Sequence, residues 1–201
     1  PSVIVGDYDR LIGEAVGSFE ENHNPHEIDI YFDKAYYGFI LERAKKIRDR
    51  DLLSLIKTKI DIANIKVAVR SKMLGRPLCD VEEELFGGGN LDKDFLLAGY
   101  DKESDVCGMT ERVATYFSQN NLTDGLNKFV ESGDLWHLEK ALDNYLVFRI
   151  KDLKSKPHGP AVFVSYLWGK ENAICNISII MSSKINQIDP GEIKERIRQL
   201  Y

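Results

Sequence analysis

An internal repeat, written on helical period, constrains this chain more than any other feature. Residues Ile28-Asp29-Ile30-Tyr31-Phe32-Asp33 align with Leu138-Glu139-Lys140-Ala141-Leu142-Asp143 at an offset of 110 residues (29 to 139, 33 to 143). Both copies place an acid four residues ahead of an Asp, with a large apolar side chain directly before that Asp. Further on, Asn64-Ile65 aligns with Asn176-Ile177 and Ser71-Lys72 with Ser183-Lys184, each at an offset of 112. A chain of 201 residues that carries one pattern twice has the same kind of face to bury twice. The reading is two copies of one helical unit of small-domain size.

The periodicity around these motifs is helical nearly throughout. Ile28, Phe32, Ala35, Tyr36, Phe39, Ile40 and Ile47 form one stripe, with Asn24 placed to cap and Pro25 tolerated in the first turn. A second helix over residues 51–74 carries Leu52, Ile56, Ile60, Ala63, Val67 and Leu74, with Gly75 as a left-handed stop and Pro77 beyond it. The two make an antiparallel hairpin. Shorter helices are predicted over 80–85, 91–98, 108–117 and 122–131, with Gly87-Gly88-Gly89-Asn90 as a flexible loop. Long helices follow over 135–152 and 161–185, separated by a turn over 154–160. Asp189-Pro190-Gly191-Glu192 opens a last helix, with Asp189 as cap and Glu192 as its capping-box partner. The β-branched run at residues 3–5 alone has strand character. The expected fold is therefore all-α. A lead-in segment covers residues 1–20 and a helical repeat unit 21–131. Residues 132–201 hold a second copy of the long hairpin plus a closing helix.

Composition narrows the function classes. The hydrophobic fraction of 43% and charged fraction of 29% belong to a globular protein with a core. A net charge of −5, from 27 basic and 32 acidic residues, supplies no field to draw the chain onto nucleic acid. The local cluster Arg43, Lys45, Lys46 and Arg48, with Asp49 and Asp51 beside it, reads as a solvated helix end. Cys79, Cys107 and Cys175 form no CxxC pair, which argues against a disulfide framework or thiolate metal site and fits a reducing compartment. The most apolar region, 161–181, is interrupted by Lys170, Glu171, Asn172 and Asn176, so it reads as a buried helix rather than a membrane span. The chain opens at Pro1-Ser2-Val3 with neither an initiator Met nor a leader, which reads as a trimmed domain.

Few residues invite chemistry. Asp29 with Asp33, and Glu139 with Asp143, put two carboxylates on one helix face; bonds to Asn or Arg of a partner helix are the expected use, rather than acid–base catalysis. Asn64 and Asn176, poor helix formers in mid-helix, are expected to make buried bonds that fix packing, with partner recognition as the alternative. His23, His26 and Glu27 have a spacing that zinc uses, but no further ligand is near in sequence; His137 and His158 are isolated. The glycine run lacks the Gly-Lys-Ser/Thr ending of a phosphate loop. Tyr36, Tyr37, Phe39 and Trp168 are expected in the core, and the acidic runs 82–84 and 101–105 on the solvated surface.

Taken in order, these residues resemble a known family. Lys170-Glu171, Asn176-Ile177, Lys184 and Asp189-Pro190 are similar to the C-terminal signature of the C subunits of archaeal and bacterial A/V-type ATPases, whose eukaryotic V-type counterpart is the d subunit. Upstream, Asp29, Asp33, Tyr36 and Tyr37 match one family helix; Asp61, Asn64, Ile65, Lys66 and Arg70 match another; Gly88-Gly89 with Leu91 resembles its glycine loop. Two positions depart from the pattern: Ser178 stands where the family often has a basic residue, and Ala173 where an acid is common.

The resemblance implies a protein built from three related helical units, of which this chain matches the last two, shaped as a wedge or funnel. It implies a non-catalytic role in the central rotor, with no catalytic, cofactor-binding or metal-binding residues and no cofactor. The implied partners are the c-ring of the membrane sector, whose loops one face meets electrostatically, and the central-stalk subunits, with no nucleic acid. Attachment to the cytoplasmic side of the membrane would be through partner proteins, in the service of proton or sodium transport. Without a first unit, an apolar face is expected to be exposed. The alternatives are a generic helical interaction scaffold and a metal-dependent hydrolase using the acids and histidines.

Overall fold

The computed structural model describes residues 3–98, 100, 106–117, 120–156 and 158–201, and the regular structure among them is helical. In chain order the helices are α1 (Val3–Asn22), α2 (Pro25–Ile47), α3 (Arg50–Met73), α4 (Leu78–Glu84), α5 (Lys93–Leu97), α6 (Val106–Phe117), α7 (Asn120–Ser132), α8 (Leu135–Lys151), α9 (Pro160–Ile185) and α10 (Pro190–Arg196). A 3₁₀ turn over Asp152–Ser155 joins α8 to the α9 approach.

Helix boundaries repeat with the sequence. The ends of α1 and α7 and the starts of α2 and α8 lie 110 residues apart; the ends of α3 and α9, and both ends of α4 and α10, lie 112 apart. The stops are chemically alike. After α3, Gly75 at φ 67° lets its own N–H reach the Lys72 carbonyl and that of Arg76 the Ser71 carbonyl. After α9, Gln187 at φ 57° repeats both bonds, with Ile188 reaching Ser183. This is the Schellman closure, and it prefers glycine because a Cβ is strained in the left-handed region. Gln187→Gly is therefore expected to raise stability by about 1 kcal/mol. Urea unfolding followed by far-UV circular dichroism checks it, and an unchanged midpoint would refute it.

Asn24 and Asp189 cap where the sequence places them, and Asp49 adds a cap that the sequence reading does not assign. Asn24 accepts from the His26 N–H, Asp49 from the Asp51 and Leu52 N–H groups, and Asp189 from the Gly191 N–H. Glu192 makes no capping box; it pairs instead with Arg196 at 2.5 Å. The predicted helix over 91–98 shrinks to Lys93–Leu97, because Asp92 caps it by accepting from the Asp94 N–H. The strand character of residues 3–5 is overridden: those residues begin α1. Among the described residues there is no strand ladder for that run to join, whereas Leu11, Ala15 and Phe19 give α1 a helical stripe, Ala15 being buried, and α1 packs on α2.

α3 is the spine of the molecule, and its two sides feed two cores. Ile62, Ile65, Ala68 and Val69 pack with residues of α4 to α8, including Phe117, Phe129, Leu138 and Leu142. Leu52, Leu55, Ile56 and Ile60 pack with Leu41 and Ala44 of α2, Phe86, Ile150 and Trp168. The second repeat thus lies against the first along α3, and that joint carries the polar groups described next.

Candidate interaction surface

The joint between α3 and α8 is an antiparallel match of two charge pairs, each spaced one helical turn apart. Lys66 of α3 approaches Asp143 of α8 at 2.5 Å, and Arg70 approaches Glu139 at 2.5 Å. Arg198, just beyond α10, completes the cluster: its Nε donates to Asp143 at 3.1 Å, and a terminal nitrogen lies 3.8 Å from Glu139. The second acid pair is thus neutralised by three cations, two from the preceding repeat and one from its own.

Both asparagines do the same structural work. Asn64 is buried on α3; its Nδ2 donates to the Phe86 carbonyl at 2.9 Å, and the Phe86 N–H donates to its Oδ1 at 2.7 Å. Asn176 on α9 brackets Arg198 identically, at 3.0 and 2.9 Å. Each asparagine acts as a substitute backbone for the residue that follows a short helix, so the buried polar groups are satisfied and the segment is pinned to the long helix. The pinned residue differs. Phe86 stacks on Tyr37 with ring centroids 4.5 Å apart, while Arg198 sends its guanidinium to the acid pair.

Asp61 ties the first repeat to the helices that follow it. It accepts from the Asn90 N–H at 2.8 Å, the Leu91 N–H at 2.9 Å and the Tyr116 hydroxyl at 3.1 Å, joining α3 to the glycine loop and to α6. Burial pushes its carboxyl above the ordinary value, with the bonds from Leu91, Tyr116 and Asn90 pulling the other way. Gly88 and Gly89 of the loop lie close against neighbouring side chains. A Cβ on Gly88 would lie 2.2 Å from Leu41 Cδ2, and one on Gly89 2.1 Å from Asp61 Oδ1, so glycine is required for close approach to α2 and α3.

Several other expectations change. Tyr36 and Phe39 are exposed, not core, while Trp168 is buried as expected and carries the Lys59 ammonium 4.4 Å from its ring centroid. Helix α9 is not buried all round: Phe163, Tyr166, Ile174, Ile177 and Met181 are all at least half exposed. Within the acidic run 82–84, Glu84 is buried rather than solvated, held by both guanidinium nitrogens of Arg76 and by His26 Nε2 at 3.2 Å. The run 101–105 lies outside the described residues. His23 stops α1 at φ 53°, His137 packs on Trp136, and His158 is exposed. Among the described residues, no three His, Cys, Asp or Glu side chains gather as a metal site. Lys45 and Lys46 lie exposed in the last turn of α2, where cations complement the helix dipole. No helix among the described residues is long and apolar enough to cross a membrane.

Glu139 bonds an Arg of a partner helix, Arg70, as the sequence leads one to expect, whereas sequence reasoning missed the parts played by Lys66 and Arg198. A signal was present: two basic residues four apart in one helix, and two acids four apart in the next repeat.

The sequence that builds this joint is matched in known proteins. The chain matches the ATP synthase (C/AC39) subunit family over residues 4–196. It belongs to that family. It is 26% identical over 182 residues to the C subunit of the A-type ATP synthase of Methanobrevibacter smithii, covering 89% of this chain and 47% of that protein. Against the corresponding A-type ATP synthase C subunit of Thermococcus gammatolerans it is 30% identical over 177 residues, covering 85% of this chain and 46% of the relative. Against the C subunit of the V-type sodium ATPase of Enterococcus hirae it is 25% identical over 195 residues, covering 97% and 57%. The chain therefore spans about half the length of the curated relatives it matches. No solved structure matches it. Within that family's sequence, the regular structure of the described residues is helical, and the polar groups at this joint tie one helical repeat to the next.

Proposed function

We propose that the chain acts as a non-catalytic coupling piece of a rotary ATPase, seated between the central stalk and the c-ring on the cytoplasmic side of the membrane. The observation that carries this reading is the family match across nearly the whole chain, with relatives named as C subunits of A-type ATP synthases and of a V-type sodium ATPase. Its structure fits a part that bears load. The acid pair Glu139 and Asp143, the best candidate for acid–base work, is held in ion pairs with Lys66, Arg70 and Arg198. The glycine loop packs Gly88 against Leu41 and Gly89 against Asp61, and its sequence lacks the Gly-Lys-Ser/Thr ending of a phosphate loop. Rigid helices, pinned to one another through buried asparagines, transmit torque without needing chemistry of their own.

Co-sedimentation tests the proposal. The protein is mixed with ring-containing membranes stripped of their soluble sector, with and without purified central-stalk subunits. Saturable binding that also recruits the stalk is the expected result. If the protein fails to bind the ring, the coupling role is lost and a general helical scaffold replaces it.

A further inference from the structure

The acid-bearing helix of the first repeat lacks what its counterpart has. Asp29 and Asp33 of α2 occupy the positions of Glu139 and Asp143, and neither carboxylate has an ion-pair or hydrogen-bond partner among the described residues. The apolar neighbours on that face are open as well. Phe32 is 38% exposed where its counterpart Leu142 is 0%, and Tyr36 is exposed where Leu146 is half-buried against α3. Phe86, standing where the second repeat has Arg198, supplies no cation either. Burial raises the Asp33 carboxyl above its ordinary value and the Asp29 charge raises it further, as happens in an uncompensated pair.

The converse holds at the far end. Ile65 and Val69 of α3 are 0% exposed under α8, whereas their counterparts on α9, Ile177 and Met181, are more than half exposed. Lys66 and Arg70 have become Ser178 and Ser182. The chain thus presents one acidic face without paired bases and one apolar face on which serines stand at the positions of Lys66 and Arg70.

We infer that successive helical units recognise one another by a two-acid, two-base code, and that the Asp29–Phe32–Asp33–Tyr36 face of α2 is a docking site for a helix carrying two basic side chains one turn apart. The α3–α8 joint supplies the geometry: the docked helix runs antiparallel to α2, its first base on Asp33 and its second on Asp29. Its intervening surface is branched and aliphatic, as Ile62, Ile65 and Val69 are. A second copy of this chain is not the occupant, because its own α3 is already covered by α8 and its α9 offers Ser178 and Ser182. Those serines act as a stop, leaving the two acids unpaired if α9 of another copy approached.

Supplying the missing half of the code tests this. In Ser178→Lys/Ser182→Arg, α9 acquires the bases of α3 at exposed positions, and far-UV circular dichroism verifies that the helices persist. Sedimentation velocity is expected to show head-to-tail association at least about tenfold tighter than wild type. It should weaken when salt is raised to about 0.5 M and vanish with Asp29→Asn/Asp33→Asn. Swapping the signs, with Asp29→Lys/Asp33→Lys against Ser178→Glu/Ser182→Asp, should restore it. A folded variant that sediments like wild type overturns the code, as does association that survives loss of Asp29 and Asp33. Wild type that already associates through Asp33 overturns the role of the serines.

Discussion

Asn64→Ala is expected to destabilise the protein by about 3–4 kcal/mol, a large part of what a domain of this size has. The substitution removes one donor and one acceptor together, leaving the Phe86 N–H and carbonyl buried without partners. Each such orphan costs roughly 1–3 kcal/mol, because the group gave up water on folding and recovers nothing. Asn176→Ala makes the same deletion in the second repeat, yet should cost only about 1–2 kcal/mol. Its partner Arg198 is flanked by the exposed Gln199 and Leu200, so water can reach the freed N–H and carbonyl while the bonds to Asp143 and Asn144 keep the segment in place. Phe86, held between α4 and the glycine loop, has no such relaxation. Urea denaturation of both variants measures the difference, and amide exchange at Phe86 and Arg198 locates it. Equal losses below about 1 kcal/mol would show that the brackets follow the packing rather than fix it.

Much of this is written in the sequence, for local reasons. Caps, left-handed stops and the 3.6-residue stripe act over a few residues, so Asn24, Gly75 and Asp189 can be placed without knowing the fold. The repeat is legible because the two asparagines are rare in mid-helix and recur at one offset. What cannot be read is which apolar stripe finds a cover. Leu142 and Phe32 look alike as sequence, and so do Ile65 and Ile177, but one of each pair is fully buried and the other open. Periodicity defines a face and says nothing of its occupant. Glu84 escapes a sequence reading for a related reason: its partners Arg76 and His26 come from segments whose approach depends on how α4 folds back on α2. Asp61 stands out for its place in a motif, but its role depends on donors 29, 30 and 55 residues further on.

Those distant donors set up the second large effect. Asp61→Ala should cost about 3 kcal/mol or more, since the N–H groups of Asn90 and Leu91 and the Tyr116 hydroxyl all lose their acceptor. Asp61→Asn should cost about 1 kcal/mol or less: its Oδ1 still accepts both N–H groups, and its amide can donate to the Tyr116 oxygen. The pair also differ from wild type in pH dependence, with a definite sign. Burial raises the folded carboxyl above 3.8, so within that window the folded chain holds a proton that the unfolded chain has released. Stability contributed by Asp61 is therefore greatest below the unfolded value and falls as pH rises toward the folded one. The asparagine variant lacks this slope, so its stability relative to wild type should improve from about pH 4 upward and then level off. A relative stability that instead declines over that range would mean that the hydrogen bonds outweigh burial and Asp61 is a stabilising anion. In the second repeat Ala173 stands at the position of Asp61 and offers no carboxylate there.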